Sequence, residues 1–137
     1  MAQTYFLSIL SNIVAGLTLA GDYLGEKIPF LASFKNLRAN RPATVTIAVV
    51  TAIIGVVKLV VLSPGGHIPV LGDLLPALVG IALGVLLLAD AFRHTVESQG
   101  ESLKKISTAV LTYRVPVGIV GVVVAVLHFL FPGVPIL

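Results

Sequence analysis

Four stretches of this sequence stay apolar for about twenty residues at a time, and nothing else in it constrains the fold as strongly. They run from about Tyr5 to Leu24, Ala43 to Leu62, Asp73 to Phe92 and Val115 to Phe131. A helix rises 1.5 Å per residue, so roughly 20 residues cross a hydrocarbon layer about 30 Å thick. In the second stretch twelve of twenty residues are Val, Ile or Leu. At roughly −0.3 to −0.6 kcal/mol each they outweigh its one lysine, which costs about +3 kcal/mol at most. The runs are too long for barrel strands and lack alternation of polar with apolar residues. The expected fold is all-α: an integral membrane four-helix bundle in which residues 1–137 form one transmembrane domain.

Composition agrees. With 57% hydrophobic and 11% charged residues, and a mean hydropathy of +1.07, a soluble domain of this size could not bury its apolar surface. There is no cysteine, which removes disulfides, thiolate nucleophiles and thiolate metal sites. No Lys or Arg precedes the first apolar run, so it reads as a retained anchor helix rather than a signal peptide.

Eight of the nine Lys and Arg residues fall in two loops: Lys27, Lys35, Arg38 and Arg41, then Arg93, Lys104, Lys105 and Arg114. The positive-inside rule places both loops in the cytoplasm and both termini outside, the topology expected in a bacterial plasma (inner) membrane. The net charge of +3 is then a matter of topology and lipid headgroups. No soluble basic face with interleaved aromatics points to nucleic acid.

The chain reads as a tandem duplication of one helical hairpin, with repeats at about 5–66 and 67–137. Ile13–Leu24 lies over Ile81–Phe92 with Ile, Gly, Leu and Asp in register, which pairs Gly16 with Gly84 and Asp22 with Asp90. Pro64–Leu71 resembles Pro132–Leu137, and each follows a helix with one basic or titratable residue near its end, Lys58 or His128. Two spans per copy make the repeats parallel, unlike the inverted repeats of alternating-access carriers. Pro42 and Pro116 suit the first turns of their helices, Asp73 can cap the third, and Ser63-Pro64-Gly65-Gly66 closes the second. Phe30, Leu31, Phe34 and Leu37 fall opposite Lys35 and Arg38, the pattern of a short helix lying on the membrane surface. The polar stretch Glu97–Lys105 is expected to lift into the cytoplasm.

Small residues recur four apart in each span: Gly16 and Ala20, Ala48 and Ala52, Gly80 and Gly84, Gly121 and Ala125. In lipid such positions let backbones approach and drive helix association, within a chain or between protomers. The polar or ionisable candidates are Asn12, Asp22, Thr51, Lys58, Asp90 and His128. Lys58 either snorkels to headgroups or serves as a counter-charge. Asp22 and Asp90 either face water and basic neighbours or form a paired cation or proton site. His67, His128 and Asp73 form an O/N-ligand set, but at no recognisable metal-site spacing. Asn12 and Thr51 fit interhelical hydrogen bonds. No phosphate-cradling loop, metalloprotease motif or nucleophile–base pair appears, so the sequence points away from an enzyme.

No metal or cofactor is called for, although bound lipid is compatible. The expected function is a structural or accessory membrane subunit, packed through small-residue faces in a homo-oligomer or with other membrane subunits. The alternative is an oligomeric channel or facilitator for an ion or small solute.

Overall fold

The computed structural model describes residues 2–60, 70–93 and 100–131, and among them there is helix and no strand. Among the described residues six α-helices follow in order: α1 (Ala2–Leu19), α2 (Gly21–Lys27), α3 (Ala32–Ala39), α4 (Arg41–Val60), α5 (Val70–Ala91) and α6 (Glu101–Leu130), with a 3-10 turn at Pro29–Leu31 before α3. Three helical segments, Arg41–Val60, Leu74–Ala91 and Glu101–Leu130, are long and apolar enough to cross a membrane. The first expected span is broken: α2 turns 80° away from the Tyr5–Leu19 part of α1. If the pair counts as one span, the total is four. Ser63–Gly66, His67, His94 and Pro132–Leu137 lie outside the described residues.

Two boundaries differ from expectation. Pro116 lies inside α6 instead of opening it, because the helix starts fifteen residues earlier. Gly100, at φ +143°, caps that start with a backbone conformation that β-carbon-bearing residues rarely adopt. Glu101, Ser102, Lys104 and Lys105 at the start of α6 are exposed, and burial begins at Ser107 and Val110. Thr108 and Thr112 donate to the carbonyls of Lys104 and Thr108 at 3.0 and 2.9 Å, satisfying hydroxyls within the helix itself. Helix α5 begins at Val70, so Asp73 is not its cap, and Pro76 falls within it.

The four long helices share one core. Helix α5 touches α4, α6 and α1, while α1 touches α4 and α6. Ala15, Leu19, Leu83 and Leu87 are fully buried where they meet, with Ala48 beside them. At most a third of each of the three apolar helices is buried. Outward-facing residues such as Phe6, Leu10, Ile53, Val60, Val85, Val120 and Phe129 are bulky and apolar, as a lipid-facing surface requires.

Glycine sets the two closest crossings. A Cβ placed on Gly16 would fall 2.6 Å from the Gly118 carbonyl oxygen and 2.8 and 3.2 Å from Cγ2 and N of Val122. One placed on Gly84 would fall 2.7 Å from the Ala48 carbonyl oxygen and 2.7 and 2.9 Å from Cβ and N of Ala52. The α1–α6 and α5–α4 crossings thus repeat one pattern: a carbonyl oxygen, then the side chain and amide four residues on.

Candidate functional site

The charged residues of the loops converge at one end of the molecule. Gly21 abuts the backbone of Phe34 and Lys35, where a Cβ would come within 3.0 Å, and this close seat carries α2 against α3. Thr44 ties the end of α3 to α4, its buried hydroxyl lying 3.0–3.2 Å from the carbonyls of Leu37, Arg38 and Asn40. These contacts leave Arg38 between two carboxylates. Its Nε and Nη2 donate to Asp90 Oδ2 and Oδ1 at 2.8 and 3.0 Å. Its Nη1 donates to Asp22 Oδ2.

Arg38 is therefore not on the exposed face of its helix, as its spacing opposite Phe30 and Phe34 suggested. Only 15% of its side chain is exposed, against 5% for Asp90 and 31% for Asp22. Burial pulls the Arg38 guanidinium down, but the carboxylates of Asp90 and Asp22 outweigh it and hold the pKa above the usual arginine value. The cation is permanent at any working pH.

Three more arginines complete the cluster. Arg114 Nη1 from α6 lies 3.0 Å from Asp22 Oδ2, near enough for Coulomb attraction though without hydrogen-bond alignment. Arg93 Nη1 lies 4.0 Å from Asp90 Oδ1. The Arg41 guanidinium sits 4.7 Å from the centre of the Phe92 ring. Arg38, Ala39, Arg41, Asp90, Ala91 and Arg93 enclose a recess of about 260 Å³.

At the opposite end Tyr5 is the hub. Its hydroxyl donates to the His128 carbonyl oxygen at 2.6 Å. Its ring centroid is 4.8 Å from that of His128 and 5.9 Å from Lys58 Nζ. Lys58 and His128, from α4 and α6, are thus brought to one aromatic ring on α1. Neither the tyrosine nor Arg38 was singled out from sequence. The signal for Arg38 was the demand of two carboxylates at one level for a shared counter-charge.

Between the two ends, Asn12 is buried and its Nδ2 donates to the Pro76 carbonyl at 3.1 Å, bonding α1 to α5. Its side chain occupies the space above Gly80, where a Cβ would meet Asn12 Oδ1 at 2.9 Å. Thr51 is buried, and its hydroxyl has no hydrogen-bond partner among the described residues.

Of the small residues, Gly16, Gly80, Gly84 and Gly121 sit at close approaches, and Ala52 receives Gly84. Ala20, Ala48 and Ala125 are buried. Gly55 and Gly118, not singled out from sequence, belong to the same set: a Cβ on Gly55 would lie 2.8 Å from the Ala77 carbonyl oxygen.

Among the described residues no three His, Asp or Glu groups stand close enough to hold a metal. His67 and the Asp73 side chain lie outside them, so the structure does not place the His67–His128–Asp73 set. Asp22 and Asp90 do meet, with the Arg38 guanidinium between their oxygens.

No curated protein and no solved structure matches the chain. Residues 1–128 match the model of a protein family of unknown function, and the chain belongs to that family.

Proposed function

We propose that this chain is a four-span integral membrane protein acting as a structural or accessory subunit. The observation that carries this reading is how its polar and small groups are used. The space between the long helices is filled by Ala15, Leu19, Leu83 and Leu87, and backbones touch at Gly16–Gly118 and Gly84–Ala48. Asn12 bonds helix to helix, and both interfacial carboxylates are engaged by Arg38. Those contacts hold helices in place and leave one chain little room for a solute path.

Matching contacts support the duplicated hairpin. Gly16 of α1 and Asp22 of α2 correspond to Gly84 and Asp90 of α5, 68 residues on. Gly118, Val122 and His128 of α6 correspond to Ala48, Ala52 and Lys58 of α4, 70 residues back. These pairs relate the two glycine crossings, the two carboxylates on Arg38 and the two neighbours of Tyr5. A pseudo-two-fold axis between α1 and α5, along the membrane normal, accounts for all three.

The small-residue faces are occupied within the chain, so contacts with other subunits or a second copy fall to the outward aliphatic ridges and the charged end. We place that end in the cytoplasm of a bacterial inner membrane, following the basic loops. The test is mild-detergent purification from the native host, with mass spectrometry of co-purifying proteins. A stable membrane partner is expected. Recovery of the protein alone as a monodisperse homo-oligomer, with solute flux into liposomes above empty-vesicle controls, would overturn the subunit reading in favour of an oligomeric channel.

A further inference from the structure

We propose that the hairpin of α2 and α3 anchors the protein sideways in one leaflet, with Ile28 and Phe30 at its tip inserted among the lipids. Phe30 is 85% exposed, more than any other large apolar side chain described, and Ile28 and Tyr23 are each 46% exposed. All three belong to one short stretch, residues 23–30.

The depth of the hairpin is set at its base. Asp22 in the first turn of α2 and Arg38 in the last turn of α3 join one set of ion pairs with Asp90 of α5 and Arg114 of α6. Arg41 opens α4 just beyond. At these residues the uncharged lengths of α5, α6 and α4 give way to charge, so the hairpin leaves the body where hydrocarbon meets the headgroups. It leaves sideways. Helix α2 stands at 80° to Tyr5–Leu19, and its seven residues span about 10 Å, which displaces the tip only about 2 Å along the α1 axis. Its contacts and those of α3 are mainly with each other, α1 and α4. Apart from Gly21, no residue of α2, the 3-10 turn or α3 is buried. Gly21 and Gly25 let the two short helices close on each other, a Cβ on Gly25 lying 3.3 Å from Ala32 Cα. The tip is thus carried on a closely paired arm.

The chemistry of the exposed surface favours lipid over a protein partner. Leu31, Phe34 and Leu37, which share helical spacing with Phe30, are half-buried, whereas Ala32, Ser33, Lys35 and Asn36 are exposed. Helix α3 therefore turns a polar back to water, and the large apolar exposure of the hairpin is confined to Tyr23 and the tip. Lys27 is exposed and holds its Nζ 5.7 Å from the centre of the Tyr23 ring. Tyrosine and lysine are both favoured at membrane interfaces, the ring among the headgroups and the ammonium reaching toward their phosphates. Lys27 and Lys35 outnumber Glu26 among the exposed charges of the hairpin, which suits a phosphate-rich layer. Interfacial elements of this kind seat their apolar side chains about 5–10 Å into the headgroup–acyl boundary. The anchor requires the membrane-spanning arrangement proposed above, but not the subunit role.

The chain contains no tryptophan, so Phe30→Trp supplies a single fluorophore at the tip. The full chain is reconstituted into vesicles of phosphatidylcholine and phosphatidylglycerol. Quenching is compared for acrylamide in the water, lipid brominated near the glycerol end of its acyl chains, and lipid brominated near the chain ends. Val123→Trp, outward-facing in the uncharged part of α6, reports the spanning arrangement by itself. For Phe30→Trp the expected result is a blue shift relative to the unfolded chain, weak acrylamide quenching, and stronger quenching by shallow than by deep bromine. Ile28→Trp is expected to read the same shallow depth, and it serves equally if Phe30→Trp does not fold. Val123→Trp is expected to respond most to the deep bromine.

Strong acrylamide quenching at the tip, with Val123→Trp deep in the lipid, puts the hairpin in water and overturns the anchor. Protection of the tip from acrylamide and from both brominated lipids, the result of cover by a second copy, also overturns it. So does quenching of the tip chiefly by the deep bromine. If Val123→Trp is itself open to acrylamide, the spanning arrangement fails and the anchor falls with it.

Discussion

Gly16 and Gly118 face each other so closely that a Cβ on either would stand 2.6 Å from the other's carbonyl oxygen. The obstacle on both sides is backbone, which cannot swing aside as a flexible side chain would. Replacing either glycine with leucine should separate α1 from α6. Overpacking a tight contact costs about 1–3 kcal/mol or more. Denaturant unfolding in detergent should show that loss for Gly16→Leu and Gly118→Leu. Val120→Leu, at an outward-facing position two residues away, should stay near wild type.

Removing Arg38 should be worse than removing its partners. Arg38→Gln leaves Asp90, 5% exposed, without its bidentate partner. Loss of one member of a buried ion pair costs about 3–5 kcal/mol, and the low end applies here because Asp22 still reaches water. Adding Asp90→Asn to Arg38→Gln should recover part of the loss, since the stranded charge is then gone. A double variant no more stable than Arg38→Gln alone would refute the shared counter-charge.

Asn12 and Gly80 should be coupled. Asn12→Ala removes the bond to the Pro76 carbonyl, and interhelical hydrogen bonds in membranes average about 0.6 kcal/mol, reaching about 1–2. Gly80→Ala alone should destabilise as well, because its methyl would press on Asn12 Oδ1 at 2.9 Å. Together the two changes should cost less than their sum, as the methyl enters the space the amide vacated. The readout is the interaction energy from a double-mutant cycle.

The chain has no cysteine, so single cysteines report topology without a background. Ser33→Cys and Lys105→Cys, both exposed, should react with an impermeant reagent from the same side of sealed vesicles. Gln3→Cys should react from the other side. Labelling of all three from one side would contradict the membrane-crossing arrangement.

The long apolar helices were legible because length and hydropathy alone decide them. The break after Leu19 was not: Thr18-Leu19-Ala20-Gly21 contains neither proline nor charge, and the seat that holds α2 there is Gly21 against Phe34 and Lys35 of α3, a contact outside the local sequence. Pro116 misled in the opposite direction. Proline favours a first turn, but tertiary burial of Ser107 and Val110 accompanies a helix that begins well before it. The small-residue spacing identified Gly16 and Gly84, yet it missed Gly118 and Gly55, whose roles depend on the crossing partner. Asp22 and Asp90 stood out because two apolar runs carry them in the same register. Their common partner did not, because the side chain of Arg38 turns inward from a helix whose pattern suggested the reverse.

The bend that ends α1 has a consequence for the surrounding lipid. At 1.5 Å per residue, the 18 residues of α1 reach about 27 Å and the 30 residues of α6 about 45 Å. Only the 16 residues of α6 after Arg114, about 24 Å, are free of Lys, Arg, Asp and Glu, so in a bilayer both apolar lengths would fall a few ångströms short of an average hydrocarbon layer. Acyl chains beside α1 and α6 would then have to compress, with the charged first turns of α6 standing in water, and each ångström of mismatch costs a fraction of a kcal/mol. In a bilayer a body of this kind would draw the two leaflets together around it, and its energy would be lowest where the membrane is already thin.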